Sequence, residues 1–141
     1  MAVKSTASTL WRGSLGDGSG TTSFGTGVAT LNVDWKARSE GAEGTTTPEE
    51  LLAAAHASCF AMALSHALGE AGHEPEELQV SAEVSFQAGE GVLGSVLKVT
   101  GAVPGLSRDE FQTFAEEAKA GCPVSQALSG IDITLGSATL S

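Results

Sequence analysis

The chain reads as an α+β protein, with mostly antiparallel strands arranged around one long central helix. Three observations carry that reading. From Leu51 to Leu68 no side chain is formally charged, and alanine, leucine and methionine, all strong helix formers, dominate the stretch. Segments on both sides of it alternate apolar and polar residues with the two-residue period of half-buried strands. The resulting order, βββ-α-ββ-α-α-β, lacks the strict strand–helix alternation of a parallel α/β sheet.

Taken in order, STLWRGS (8–14) has short strand character ending in glycine, and the cluster LGDGSGTTS (15–23) is turn material. In FGTGVATLNVDW (24–35) the second half alternates, with Ala29, Leu31, Val33 and Trp35 on one side. This third of the chain is expected to form a small antiparallel meander. KARSEGAEGTTT (36–47) is polar and reads as a solvated connection, although it holds Lys36 and Arg38. The central helix then begins with Thr47 as N-cap, Pro48 at the first helical position and Glu50 placed for a capping box. Gly69 or Gly72 offers its stop. A helix apolar nearly all round is expected to be buried nearly all round.

Beyond it, LQVSAEVSFQ (78–87) places Leu78, Val80, Ala82, Val84 and Phe86 on one face, and SVLKVTGAV (95–103) follows as its hairpin partner. A second helix starts at Ser107, with Glu110 closing a capping box and Phe111, Phe114, Ala115 and Ala118 on one face. Cys122-Pro123 opens a short third helix, PVSQAL, and IDITLGSATL makes a last strand. At 141 residues this is expected to be a single domain over 1–141.

Charge and cysteine usage narrow the function classes. Seventeen acidic against seven basic residues give a net charge of −10, which disfavours nucleic acid and anionic membrane surfaces. The central helix is just long enough to span a bilayer, but its histidines and serines favour a core helix. The opening MAVKSTASTLW has no apolar run of a signal peptide. Two cysteines without C-x-x-C spacing then suggest a reducing, cytoplasmic setting, where such a pair is more often redox-active than structural.

Cys59 lies in mid-helix, an ordinary place for an inert buried cysteine. Cys122, before a proline at a helix start, gains from the helix dipole and by that argument is the more acidic thiol. A reactive Cys59 would need a cation from elsewhere. His56, one turn before Cys59, is open to three readings: a metal ligand with both cysteines, a base for a cysteine nucleophile, or a packing residue. His66 and His73 lack comparable partners. No fourth metal ligand is evident, no phosphate loop is present and no nucleophile-elbow pattern appears, so neither metal nor cofactor is expected.

At TTPEELLAAAHASCFAMALSHALGEAG and again at AKAGCPVSQAL the chain resembles the OsmC branch of the OsmC/Ohr family, bacterial thiol peroxidases for organic hydroperoxides. The two motifs each hold one of only two cysteines, and the element order agrees along nearly the whole chain. The resemblance implies an OsmC-like fold in an intertwined homodimer, with central helices back to back. It implies a peroxidatic Cys59, a resolving Cys122 and a dithiol reductant, a lipoyl protein or a thioredoxin-like one. It also implies an arginine on the Cys59 thiolate, here Arg38 with Arg12 as rival, held by Glu49. Glu49 and Cys59 are separated by about 15 Å of helix, so the arginine must extend between them or the partners come from different subunits. The resemblance and the helix-start argument divide the thiols differently, but a low-pKa Cys122 would also leave readily when a disulfide is reduced. The alternatives are a non-enzymatic stress-response or ligand-binding module with structural cysteines, and a thiol–disulfide oxidoreductase.

Overall fold

The computed structural model describes residues 1–141. They divide into two compact units, Met1–Leu51 and Leu52–Ser141.

The first unit is a three-stranded antiparallel sheet, β1 (Ala7–Arg12), β2 (Ser19–Phe24) and β3 (Thr30–Val33), with β2 in the middle. The meander is as expected, but its central strand falls on residues read as turn. Thr21 and Thr22 pair with Leu10 and Thr9 on one side and with Asn32 and Leu31 on the other. Two ladders of backbone bonds and the Thr9–Thr22 hydroxyl contact (2.8 Å) outweigh the poor strand preference of glycine and serine. The turn proper occupies 13–18, where a Cβ on Gly18 would collide with the carbonyl oxygens of Arg12 and Ser14.

A second departure follows β3. The start of the polar connection is a helix, α1 (Trp35–Glu40), rather than a solvated loop. Asp34 caps it by accepting from the Ala37 N–H at 2.7 Å, and Gly41, at φ 86°, ends it. Thr46 then bridges to Val33 alongside β3.

The long helix α2 (Pro48–Glu70) begins as predicted, with the Thr47 hydroxyl accepting from the Glu50 N–H at 2.9 Å. The Glu50 carboxylate, however, takes the Thr46 hydroxyl instead of closing a capping box. By length and composition α2 alone is apolar enough to cross a membrane, a test that core helices also pass. In one chain it is not buried all round. His56, Phe60, Leu64 and Leu68, four residues apart, are sealed from solvent, while Met62 on another face is 72% exposed.

In the second unit, β4 (Glu77–Gln87) and β5 (Gly91–Ala102) form the expected antiparallel hairpin, with Val80 opposite Val99. The last strand, β6 (Asp132–Leu140), joins the other side of β5 in parallel, Leu97 opposite Leu135. Parallel neighbours require a crossover, which α3 (Arg108–Gly121) and α4 (Pro123–Ala127) supply. The Ser107–Glu110 capping box forms in both directions. Phe111, Ala115 and Ala118 of α3 meet Phe60, Leu64 and Leu68 of α2 and Leu97 and Val99 of β5 in one core. Gly101 lets the Phe111 ring lie on β5, because a Cβ there would sit 2.9 Å from the ring edge.

Candidate active site

Cys122 is the cap residue between α3 and α4, and it is fully buried at the edge of the core. Its position follows from the sequence: α3 ends at Gly121, and Pro123 starts α4 with a φ the ring already favours. Cys59, half-buried on α2, packs against the core cluster that contains Cys122 and faces its sulfur. The two cysteines, far apart in sequence, are therefore neighbours.

The thiols differ in acidity. Burial raises the Cys59 pKa, and a hydrogen bond to Cys122 raises it further. At Cys122 burial also pushes upward, but it is outweighed by the Cys59 thiol, the Ser125 N–H and hydroxyl, and the Val124 N–H. Cys122 consequently ends below an ordinary thiol, in agreement with its place at a helix start. Beside Cys59 an open, largely apolar cleft of about 540 Å³ is bordered by Met62, Ala63, Ala118 and Pro123.

His56 turns its ring nitrogens to two serine hydroxyls rather than to Cys59. Its Nδ1 lies 2.7 Å from the Ser95 hydroxyl and its Nε2 2.8 Å from the Ser125 hydroxyl, so both ring nitrogens are occupied. Burial lowers its pKa, because desolvation disfavours the charged ring. Ser95 and Ser125 were not legible as site residues. The available signal was the position of Ser125 three residues after a capping cysteine, where side chains reach back to the cap.

In the first unit, Arg38 of α1 grips Glu49 with a two-pronged bond, Nε to Oε1 and a terminal nitrogen to Oε2, each 3.0 Å. Glu49 is nearly sealed from solvent and Arg38 about one third exposed. Arg12, on exposed β1 opposite Ser19, makes no ion pair. The structure thus assembles two pairs, Arg38 with Glu49 and Cys59 with Cys122. No group of three or more histidine, cysteine or carboxylate side chains is arranged to hold a metal.

Residues 39–136 match the OsmC-like protein family. The chain belongs to that family. It is 42% identical over 139 residues to peroxiredoxin OsmC of Escherichia coli (strain K12), covering 96% of each chain. It is 35% identical over 102 residues to the organic hydroperoxide resistance protein of Xanthomonas axonopodis pv. citri, covering 67% of this chain and 68% of that one. The crystal structure of OhrB from Bacillus subtilis superposes with a TM-score of 0.70 at 30% identity, over 96% and 98% of the two chains. The OsmC-like assignment agrees with the two-motif resemblance and with the α+β architecture.

Proposed function

We propose that this OsmC-like protein is a cysteine-based peroxidase that reduces organic hydroperoxides to alcohols. The observation that carries the proposal is the contact between its only two thiols, Cys59 beside an apolar cleft and Cys122 behind it. The Cys59 thiolate attacks the terminal peroxide oxygen, the O–O bond breaks, and the alkoxide leaves and takes a proton. Cys59 is left as a sulfenic acid. The Cys122 thiolate then attacks that sulfur, hydroxide departs and is protonated to water, and a Cys59–Cys122 disulfide forms. A dithiol reductant, a lipoyl protein or a thioredoxin-like one, returns both thiols and is itself oxidised.

Cys59 lies in mid-helix, beyond the reach of the helix dipole, so a thiolate there calls for a cation from elsewhere. Arg38 is assigned to it, because a guanidinium keeps its charge and can serve thiolate and peroxide oxygens while Glu49 fixes its plane. The apolar cleft supports alkyl, aryl or fatty-acid peroxides over hydrogen peroxide. The uncharged outer face of α2, with Met62 at its centre, supports a homodimer built on that helix. Two cysteines without C-x-x-C spacing suit a cytoplasmic enzyme.

The test is consumption of cumene hydroperoxide, with dithiothreitol, by wild type, Cys59→Ser and Cys122→Ser. The expected pattern is no turnover for Cys59→Ser and loss of one thiol per peroxide for Cys122→Ser. Inactivity confined to Cys122→Ser would exchange the two roles. Consumption by all three at the buffer rate would make this a binding module with structural cysteines.

A further inference from the structure

Three polar side chains in the second unit are almost wholly buried and take no part in the steps above. His56 is 0% exposed, Ser95 1% and Ser125 5%. Burying polar groups in an apolar core is costly unless each finds a partner, and here each does. Hydrogen bonds run from Ser95 of β5 to His56 of α2 and on to Ser125 of α4, and Ser125 stands in the first turn of α4 beside Cys122, the neighbour of Cys59.

We propose that Ser95, His56 and Ser125 form a buried relay that holds the Cys122 sulfur as a hydrogen-bond acceptor, making His56 a positioning residue for the resolving thiol. The assignment of protons is forced by counting. The Ser125 hydroxyl has one hydrogen. To donate it to the Cys122 thiolate, Ser125 must accept from His56 at Nε2, so that nitrogen carries the ring proton. Nδ1 is then bare and accepts from the Ser95 hydroxyl. When Cys122 is protonated the chain can run the other way: the thiol donates to Ser125, Ser125 to Nε2, and Nδ1–H to Ser95. The histidine exchanges one neutral tautomer for the other and never becomes imidazolium, the form its burial disfavours.

Cys59 is the titratable group facing the Cys122 sulfur, and the next ones, His66 of α2 and Glu117 of α3, line the cleft on the Cys59 side. The relay is a part of the surroundings that substitution can remove without touching either thiol. Its value to the reaction rests on the resolving role proposed for Cys122. A hydrogen bond to an ionised sulfur is worth about a factor of ten in thiolate population. Because a more basic thiolate is also more nucleophilic, the rate of disulfide formation would change by only about three- to fourfold.

The experiment follows thiolate absorbance near 240 nm against pH in the Cys59→Ser background, where Cys122 is the remaining thiol and no peroxide is involved. Ser125→Ala should move the ionisation edge to higher pH, Ser125→Thr should leave it in place, and His56→Leu should move it in the same direction as Ser125→Ala. An edge unmoved in folded Ser125→Ala overturns the relay. Should Ser125→Ala fail to fold, 15N spectra of His56 in the unmodified relay decide. The ring proton should shift from Nδ1 to Nε2 as Cys122 ionises, and a single tautomer throughout, or an imidazolium, refutes the idea. In the two-cysteine protein, an edge that moves while disulfide formation keeps its rate leaves the relay standing and removes the resolving role instead.

Discussion

Removing either member of the Arg38–Glu49 pair should have unequal consequences for stability, and the inequality follows from burial. The Glu49 side chain is 7% exposed and that of Arg38 33%. Breaking a buried pair strands a charge and costs about 3–5 kcal/mol, whereas an exposed pair is worth about 0.2–1 kcal/mol. Arg38→Met strands the buried carboxylate, so it should fall near the lower edge of the buried range, about 3 kcal/mol. Glu49→Gln leaves a guanidinium that is already one third exposed, and the amide oxygen still accepts one of the two bonds. That should cost about 1 kcal/mol. The double variant Arg38→Met/Glu49→Gln should recover part of the larger loss, because it leaves no buried charge. Urea unfolding followed by tryptophan fluorescence, with Trp35 in the same short helix as Arg38, reads all three as midpoint shifts at constant slope. On the proposed mechanism peroxide turnover should fall in both single variants, so activity and stability would part company in Glu49→Gln. A Glu49→Gln variant as unstable as Arg38→Met would show that burial does not set the cost, and the argument would fail.

Two further outcomes are expected. His56 has its pKa lowered by burial from an ordinary 6.5, so the unfolded chain binds a proton there before the folded one does. Stability conferred by the neutral ring is complete above pH 6.5 and declines as pH falls toward the lowered value, by about 1.4 kcal/mol per unit at most. Melting curves from pH 7.5 downward should show this slope in wild type and less of it in His56→Gln; parallel curves would exclude His56 as its source. For the oligomer, sedimentation should give about twice the 14.2 kDa of one chain, and Met62→Glu should shift it toward the single chain. A wild type sedimenting as one chain removes the homodimer.

The sequence was most informative where local chemistry and tertiary packing agree. Thr47-Pro48 and the Ser107–Glu110 box mark helix starts by groups that bond within four residues, so they could be read directly. β2 could not, because Ser19–Phe24 is a strand only by virtue of its neighbours on both sides. Helix α1 is too short to show a period, and its Asp34 and Gly41 caps went unread. The expectation of all-round burial for α2 took apolar composition as burial, whereas one chain covers only the stripe through Phe60, Leu64 and Leu68. At the site, both cysteines and the Arg38–Glu49 pair were visible through motif resemblance and spacing. The contacts of His56 were not, since Ser95 and Ser125 reach it from distant segments and serine carries no periodic signal.

The adjacency of Cys59 and Cys122 also bears on how firmly the chain holds together during turnover. A bond between them would staple the middle of α2 to the junction of α3 and α4, enclosing the whole β4–β5 hairpin and α3 in one covalent loop. Closing a loop of that length removes conformational freedom from the unfolded chain worth about 4 kcal/mol in the entropic description. On the proposed cycle the oxidised molecule would therefore be harder to unfold than the reduced one awaiting substrate. The peroxide that disables the enzyme for a moment would also toughen it until a reductant arrives.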